Sequence, residues 1–543
     1  MSNYVRNMKP INELIKRSVP ERDRVGEEKL IMSTLITDFQ MAKSLVSQTF
    51  KDQQIHPDSG IFHLKNWDLE KIKKSISNSK IVFLYGNPLL AVEGARHSKE
   101  YGTNLSELKE TLRQFIQRKG ILLVNRHTSK FIGSKILLGE ESLGSLQNGL
   151  NLIPDSIVET VYESAGDKKR VLSAITSHPR LVGVGIRKGS LIILRGRKIF
   201  AYETGSADFM LAANERQPLR IQKVGIPVHS EHRALFGNNL LDLTEWRRDA
   251  IDRTLPPFPP AEPRDPYVEN GTLVIVGGGG MPQNLMQQLV EMAGGKEARM
   301  VYIPCAEQED VGTRHRTVEY WKSLGVKSAT FIHTKDRNKS NSDEEFLAPL
   351  KDATGLWFGG GRQWNFADSY YGTKAHKLMK DVLKRGGVIG GSSAGASIQA
   401  RYLARATPIG NFRIMAPGYE RGGLGFISGV AIDQHFTQRG RQKDMTQLMQ
   451  VHPQLLGIGL DEATAIIVQK SKARVVGRGK VHFYDRNLPV FPDKPDFIAL
   501  AAGSEYDLKS RKVLKESEPK KVNDTNPKSN RSQKKSESGK NGN

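Results

Sequence analysis

In the C-terminal half, apolar residues come in short unbroken runs separated by stretches in which they recur every three or four positions. Leu273-Val274-Ile275-Val276 runs into Gly277 to Gly280, a helical stretch starts at Gln283, and Met300-Val301-Tyr302-Ile303 is the next apolar run. Ala329 to Ile332, a helix before Leu350, Leu356-Trp357-Phe358 with Gly359 to Gly361, a helix Ala375–Lys384 and Val388-Ile389 repeat the rhythm. Runs of four or five apolar residues read as strands buried on both faces, and the periodic stretches as amphipathic helices. Alternation of the two predicts an α/β fold with a doubly wound, mainly parallel sheet whose site lies beyond the strand C-terminal ends. Pro256, Pro257, Pro259, Pro260, Pro263 and Pro266 then separate this half from what precedes it, because proline admits neither a regular helix nor a central strand.

The preceding half reads as a worn copy of the second. HPRLVGVGIRKGSLIILRGRKI from His178 aligns almost without gaps on HPQLLGIGLDEATAIIVQKSKARVVGRGKV from His452, an offset of 274 residues. Upstream, SKIVFLYGNPLL from Ser79 and LKETLRQFIQRKGILLVN from Leu108 resemble TGLWFGGGRQ from Thr354 and HKLMKDVLKRGGVIGG from His376. Two tandem copies are therefore expected. The expected layout is a degenerate domain over 1–250, a Pro-rich linker over 251–269, a second domain over 270–505 and a basic, unfolded tail over 506–543.

Composition narrows the classes. The chain has 543 residues, a formal net charge of +23 and one cysteine, Cys305, so neither an internal disulfide nor a cysteine-based zinc cluster can form. The segment from Lys509 holds 11 basic residues against four acids, too polar to build a core. The remaining basic residues are scattered, without a helix-turn-helix, zinc-finger or aromatic RNA platform, so no specific nucleic-acid partner is expected. The N-terminal stretch lacks the apolar segment of a signal peptide, and no apolar run of about 18 residues occurs. A cytoplasmic location and no membrane partner are expected.

Chemistry concentrates in three places. Gly391-x-Ser393-x-Gly395 stands between the strand Val388-Ile389 and an expected helix Ser397–Tyr402, the setting of a nucleophile elbow in which small neighbours permit a tight turn. The next N–H, that of Ala394, is placed to hold an oxyanion. Asp433-Gln434-His435-Phe436-Thr437-Gln438-Arg439-Gly440-Arg441 supplies a histidine, a carboxylate and two arginines, and Asp461-Glu462 adds carboxylates at the end of another strand. A serine nucleophile needs a base, and the base needs a partner that fixes its tautomer. On these residues alone either Asp461 or Glu462 can be that partner. At the 274 offset, Val161, Arg187 and Lys188 stand where the second half has His435, Asp461 and Glu462, while Asn125 and Arg126 fall near the serine position, so the first half cannot run this chemistry. His452 has a counterpart, His178, in that inactive copy and is read as structural. The Gly277–Gly280 run lacks the dinucleotide pattern at Pro282 and is not followed by Gly-Lys-Ser/Thr. It is expected to pack beneath the site, and no cofactor or metal is expected.

Gly359-Gly360-Gly361-Arg362-Gln363, GSSAGA, DQHFTQRGR and GIGLDEATA together resemble cyanophycinase and the wider dipeptidase E family of serine peptidases, over about residues 270 to 500. The resemblance implies a fold like the class I glutamine amidotransferases and a triad of Ser393, His435 and Glu462. It also implies oxyanion donors at Ala394 and Gly360 or Gly361, and a substrate site lined by Gln363, Asp433, Gln434, Arg439 and Arg441. The implied substrate is cyanophycin, an aspartate polymer bearing arginine branches, cut to β-aspartyl-arginine dipeptides. Alternatives are a short α- or β-aspartyl peptide, or binding of charged polymers without catalysis. Where the family carries an acid before the glutamine and a third base after the two arginines, this chain has Arg362 and Asp444. The expected assembly is a homodimer, or an in-chain pseudo-dimer in which the first half replaces a second subunit.

Overall fold

The computed structural model describes residues 32–36, 61–63, 69–79, 81–85, 99–125, 128–137, 146–160, 162–202, 205–225, 240–409 and 413–517. They fall into two compact units. One comprises residues 1–263, 362–371 and 401–424, and the other 264–361, 372–400 and 425–543. The Pro-rich stretch thus separates the units only in part, because two segments of the second half belong to the first unit. Within that unit Phe258 stacks on Tyr402, and the guanidinium groups of Arg401 and Arg421 lie over the Phe258 ring, so this part of the expected linker is packed. Arg197 anchors the inserted segments: it pairs with Asp242 and Asp368, lies 4.4 Å from the Trp364 ring centroid and contacts the Tyr419 hydroxyl.

The second unit is built on a sheet whose strands lie in the order Ser328–Phe331, Arg299–Cys305, Gly355–Gly361, Val388–Ser392, Val268–Val276, Thr464–Lys470, Lys472–Gly477, Glu505–Asp507, Lys512–Lys515. The first five are mutually parallel, and the pairings beyond Val268–Val276 are antiparallel. The fold is therefore mixed α/β, with parallel order confined to one side of the sheet. Leu273 to Val276 are fully buried, as an apolar run in a central strand requires. The helix Lys374–Lys384 starts at Thr373, whose side chain accepts the His376 N–H, and buries Ala375, Met379, Val382 and Leu383 on one face. A second sheet pairs Ile427–Gln434 in parallel with Leu456–Leu460, which runs antiparallel to Lys480–Asp485. Among the described residues no helix is long and apolar enough to cross a membrane.

Two expectations are corrected. The helix foreseen over Ser397–Tyr402 is instead one turn, Ala394–Ser397, followed by a strand, Ala400–Tyr402. The Gln399 and Ala400 carbonyls accept the N–H groups of Phe426 and Gly425, so they cannot serve a continuing helix. The tail foreseen from 506 also starts too early. Glu505–Asp507 and Lys512–Lys515 extend the sheet, and Tyr506 and Leu508 are buried within this otherwise charged stretch. Residues 518–543 lie outside the described residues.

The 274-residue offset recurs in the geometry of each unit taken by itself. Ile153–Thr160, Val182–Ile186 and Ser206–Leu211 have the bounds of Ile427–Gln434, Leu456–Leu460 and Lys480–Asp485 shifted by that number. Pairing registers shift with them, Ser156↔Val182 against Val430↔Leu456 and Ala207↔Ile186 against Val481↔Leu460. His178 and His452 end their helices with nearly equal dihedrals, φ −132° and ψ 69° against −127° and 63°. The parallel sheet of the first unit, Ile61–His63, Met32–Ile36, Ile81–Tyr85, Ile121–Val124, has the same order as the four strands from Ser328–Phe331 to Val388–Ser392.

Tyr506 is fully buried and its ring lies 4.0 Å from that of Phe483. Tyr506→Ala is expected to cost about 3–5 kcal/mol, as for other aromatic-to-alanine truncations in cores. Urea denaturation of the full chain measures it.

Candidate active site

The candidate groups sit where parallel strands end. Ser393 follows the strand Val388–Ser392 at φ 57° and ψ −113°, outside the regions open to most side chains. The turn exists because its neighbours are glycines. A Cβ at Gly391 would lie 2.3 Å from the Gly395 carbonyl oxygen, and one at Gly395 would lie 2.1 Å from that of Phe358. The Ser393 N–H donates to the Val276 carbonyl at 3.0 Å, which fixes the turn against the central strand.

His435 follows Gln434 at φ 51°, and its N–H donates to the Gly277 carbonyl at 2.8 Å. Its Nε2 lies 2.9 Å from Ser393 Oγ and its Nδ1 lies 2.5 Å from Glu462 Oε1. With an ionised carboxylate at Nδ1, that nitrogen carries the hydrogen and Nε2 is the acceptor facing the serine hydroxyl. Glu462 is itself steadied by its N–H, which donates to Gln438 Oε1 at 2.9 Å. The two carboxylates left open by the sequence are thus separated. Asp461 turns to the Thr437 and Lys480 N–H groups and to His482, while Glu462 meets the histidine.

The glycine run fits beneath these groups. Gly278 has φ 92° and Gly279 has φ 60°, which suits residues without a side chain. A Cβ on Gly278 would come within 2.5 Å of the His435 ring, and one on Gly279 within 2.1 Å of the Glu462 carboxyl carbon. Gly360 also belongs here, because its Cβ position is 3.5 Å from Ser393 Cβ.

Most of the other expected site residues have partners of their own. Arg441 is buried, and its Nη1 donates to Asp433 Oδ1 at 2.9 Å and to the Gln434 carbonyl at 2.6 Å. Asp433, Gln434 and Arg441 therefore form one internal cluster that closes the loop carrying His435. Arg439 is exposed. Gln363 is buried in the first unit, where its Nε2 donates to the Ala404 and Arg405 carbonyls. His452 caps the C-terminal end of Gln442–Val451. At the counterpart positions of the first half, Asn125 uses its side chain to accept the Thr128 N–H, Arg187 pairs with Asp208, and Val161 and Arg126 lie outside the described residues. Thr437, Gln438 and His482 were not singled out by the sequence, where nothing marks a polar side chain as serving a neighbour's backbone.

An imidazole held between a serine hydroxyl and a carboxylate, on turns at the strand ends of two neighbouring sheets of one unit, is the arrangement of a serine hydrolase. Residues 273–476 match the model described as Peptidase family S51, and over these residues the chain is similar to serine peptidases of the cyanophycinase and dipeptidase E group. A cyanophycinase of Geminocystis herdmanii is 29% identical over 223 residues, covering 40% of this chain and 82% of the relative. One of Trichormus variabilis is 25% identical over 234 residues, covering 41% and 76%. Among solved structures, a peptidase from an acI-B1 Actinobacterium is 25% identical, covers 44% of this chain and 97% of that one, and aligns with a TM-score of 0.34.

Burial lowers the His435 pKa below the usual histidine range; the Glu462 hydrogen bond opposes this, and the charges of Arg439 and Arg441 add to the lowering. A histidine that must be neutral to accept a proton is then ready at neutral pH. The acid limb of kcat/KM is expected to lie below the usual histidine range, with activity lost as pH falls through it and fully present above it; a pH–rate profile measures this. Gly279→Ala is expected to lower kcat by about 100-fold or more through displacement of Glu462, with far-UV circular dichroism unchanged.

Proposed function

We propose that this peptidase hydrolyses aspartyl bonds of cyanophycin, releasing β-aspartyl-arginine dipeptides through a Ser393–His435–Glu462 triad. The observation that carries the reading is the continuous hydrogen-bonded line from Glu462 through His435 to Ser393 Oγ. Likeness to curated cyanophycinases supports the substrate. In this reading Ser393 Oγ attacks the scissile carbonyl as His435 Nε2 takes its proton. His435 then protonates the departing amine, and water, activated by the same nitrogen, releases the acyl group and restores the serine. Glu462 keeps the imidazole in the required tautomer and stabilises its cation. The N–H of Ala394, with that of Gly360 or Gly361, holds the oxyanion, each donor contributing about 3 kcal/mol.

Arg439, exposed and four residues beyond His435, is assigned to substrate carboxylates, which a guanidinium can bind through two parallel hydrogen bonds. Arg441, Asp433 and Gln434 hold the loop. The first half is read as a degenerate tandem copy retained as a scaffold, supported by the common 274-residue offset of strands, registers and helix caps. Such a copy takes the place of a second subunit in an in-chain pseudo-dimer. A solution mass showing an obligate dimer held by two active halves would sink that part.

The test is incubation of the full chain, beside Ser393→Ala, with insoluble cyanophycin granules and with a small β-aspartyl dipeptide, followed by mass spectrometry. Wild type is expected to release β-aspartyl-arginine from granules, and Ser393→Ala to lose about 10⁶-fold in kcat. Cleavage of the dipeptide alone would move the assignment to an aspartyl dipeptidase, and silence on both would favour a binding protein.

A further inference from the structure

Asp461 stands beside the proposed triad but does not touch His435, and its surroundings give it a separate task. Its Oδ1 accepts the N–H of Thr437 at 3.1 Å, two residues beyond His435, and its Oδ2 accepts the N–H of Lys480 at 3.0 Å. His482 Nε2 lies 3.3 Å from the same Oδ1 and 3.2 Å from Thr437 Oγ1. An ionised carboxylate can only accept, so Nε2 carries the His482 hydrogen. Among the described residues Nδ1 of that ring is buried without a partner, and the ring is edged by Phe436 and Phe497. Hydrogen bonds from His482, Thr437 and Lys480 outweigh the effect of burial, which alone would raise it, and hold the Asp461 carboxyl at about 2. One carboxylate thus ties together the end of Leu456–Leu460, the start of Lys480–Asp485 and the turn that carries the base.

The first half separates the two uses of this position. At the 274 offset Asp461 and His482 correspond to Arg187 and Asp208, whose Nη2 and Oδ2 are 3.1 Å apart. The pair is kept with its polarity reversed, so either polarity joins the two strands. What changes is the third partner. Glu163, the counterpart of Thr437, gives its N–H to Asp167 at 3.3 Å instead. A carboxylate at position 461 can accept the N–H of the histidine turn, whereas a guanidinium has no acceptor.

We infer that Asp461 is a positioning residue for His435: through the Thr437 N–H it holds the left-handed turn that sets the imidazole between Ser393 and Glu462, a role distinct from joining the strands. The inference rests on the proposed triad. It is tested on the full chain with Asp461→Ala, which removes both acceptor oxygens, and with Asp461→Arg/His482→Asp, which installs the polarity of the first half. Asp461→Ala is expected to lower kcat by about 10- to 100-fold at unchanged KM, the effect of displacing a catalytic group by about 1 Å. The double variant is expected to melt near wild type and to lose at least as much kcat. Crystal structures of both are expected to show His435 Nε2 out of hydrogen-bond reach of Ser393 Oγ. Wild-type kcat, or an undisturbed His435, in either folded variant would overturn the inference. Unfolding of both would overturn it too, by making the role structural. If wild type is silent on every substrate, the proposed function falls, while the His435 position in the crystal structures still decides this inference.

Discussion

The backbone at the end of one strand, Val276 to Gly278, sets everything else at the site. Its carbonyls accept the N–H groups of Ser393, His435 and Ala463, and the Gly277 N–H donates to Thr464. Each bond is worth only about 1 kcal/mol net, yet leaving such buried groups unpaired would cost more. Four bonds from three consecutive residues therefore bring serine, histidine and the acidic turn to one place. The approach is possible only because no side chain intervenes, since a Cβ at Gly278 or Gly279 would occupy the space of the imidazole or the carboxylate.

Strain and its restraint follow from that convergence. Ser393 and His435 both sit at positive φ, a state costing on the order of 1–3 kcal/mol for each residue. For Ser393 the restraint is the pair of close glycine contacts around the elbow. For His435 it comes from both ends of the loop, where the buried Asp433–Arg441 pair closes one side and Asp461 takes up the Thr437 N–H on the other. Pairing explains how Asp433 and Arg441 can both be buried on either side of the exposed residues 437–440.

Much of this was legible in the chain. The apolar runs located the parallel strands, and the small residues around Ser393 located its turn. The HP dipeptides located two helix ends that share dihedrals. Less legible was any residue whose partner is remote in sequence. The family resemblance implies a substrate role for Arg441, while its guanidinium turns inward to Asp433. The stretch after 505 reads as unfolded because charge dominates it, whereas Tyr506 and Leu508 are enough to seat it on a sheet already formed by Lys472–Gly477.

By itself, then, the sequence determined the α/β rhythm, the elbow, the candidate serine, histidine and acids, and the absence of those groups at the 274-residue offset in the first half, because each depends on local pattern and residue chemistry. The tertiary structure decided which carboxylate faces His435, which arginine is exposed, where the glycine run lies and how far the sheet extends. Adjacent Asp461 and Glu462 are equivalent until the chain between them turns. Their separation depends on N–H donors supplied by Thr437 and Lys480 and on the Oε1 acceptor of Gln438, partners between 19 and 24 residues away.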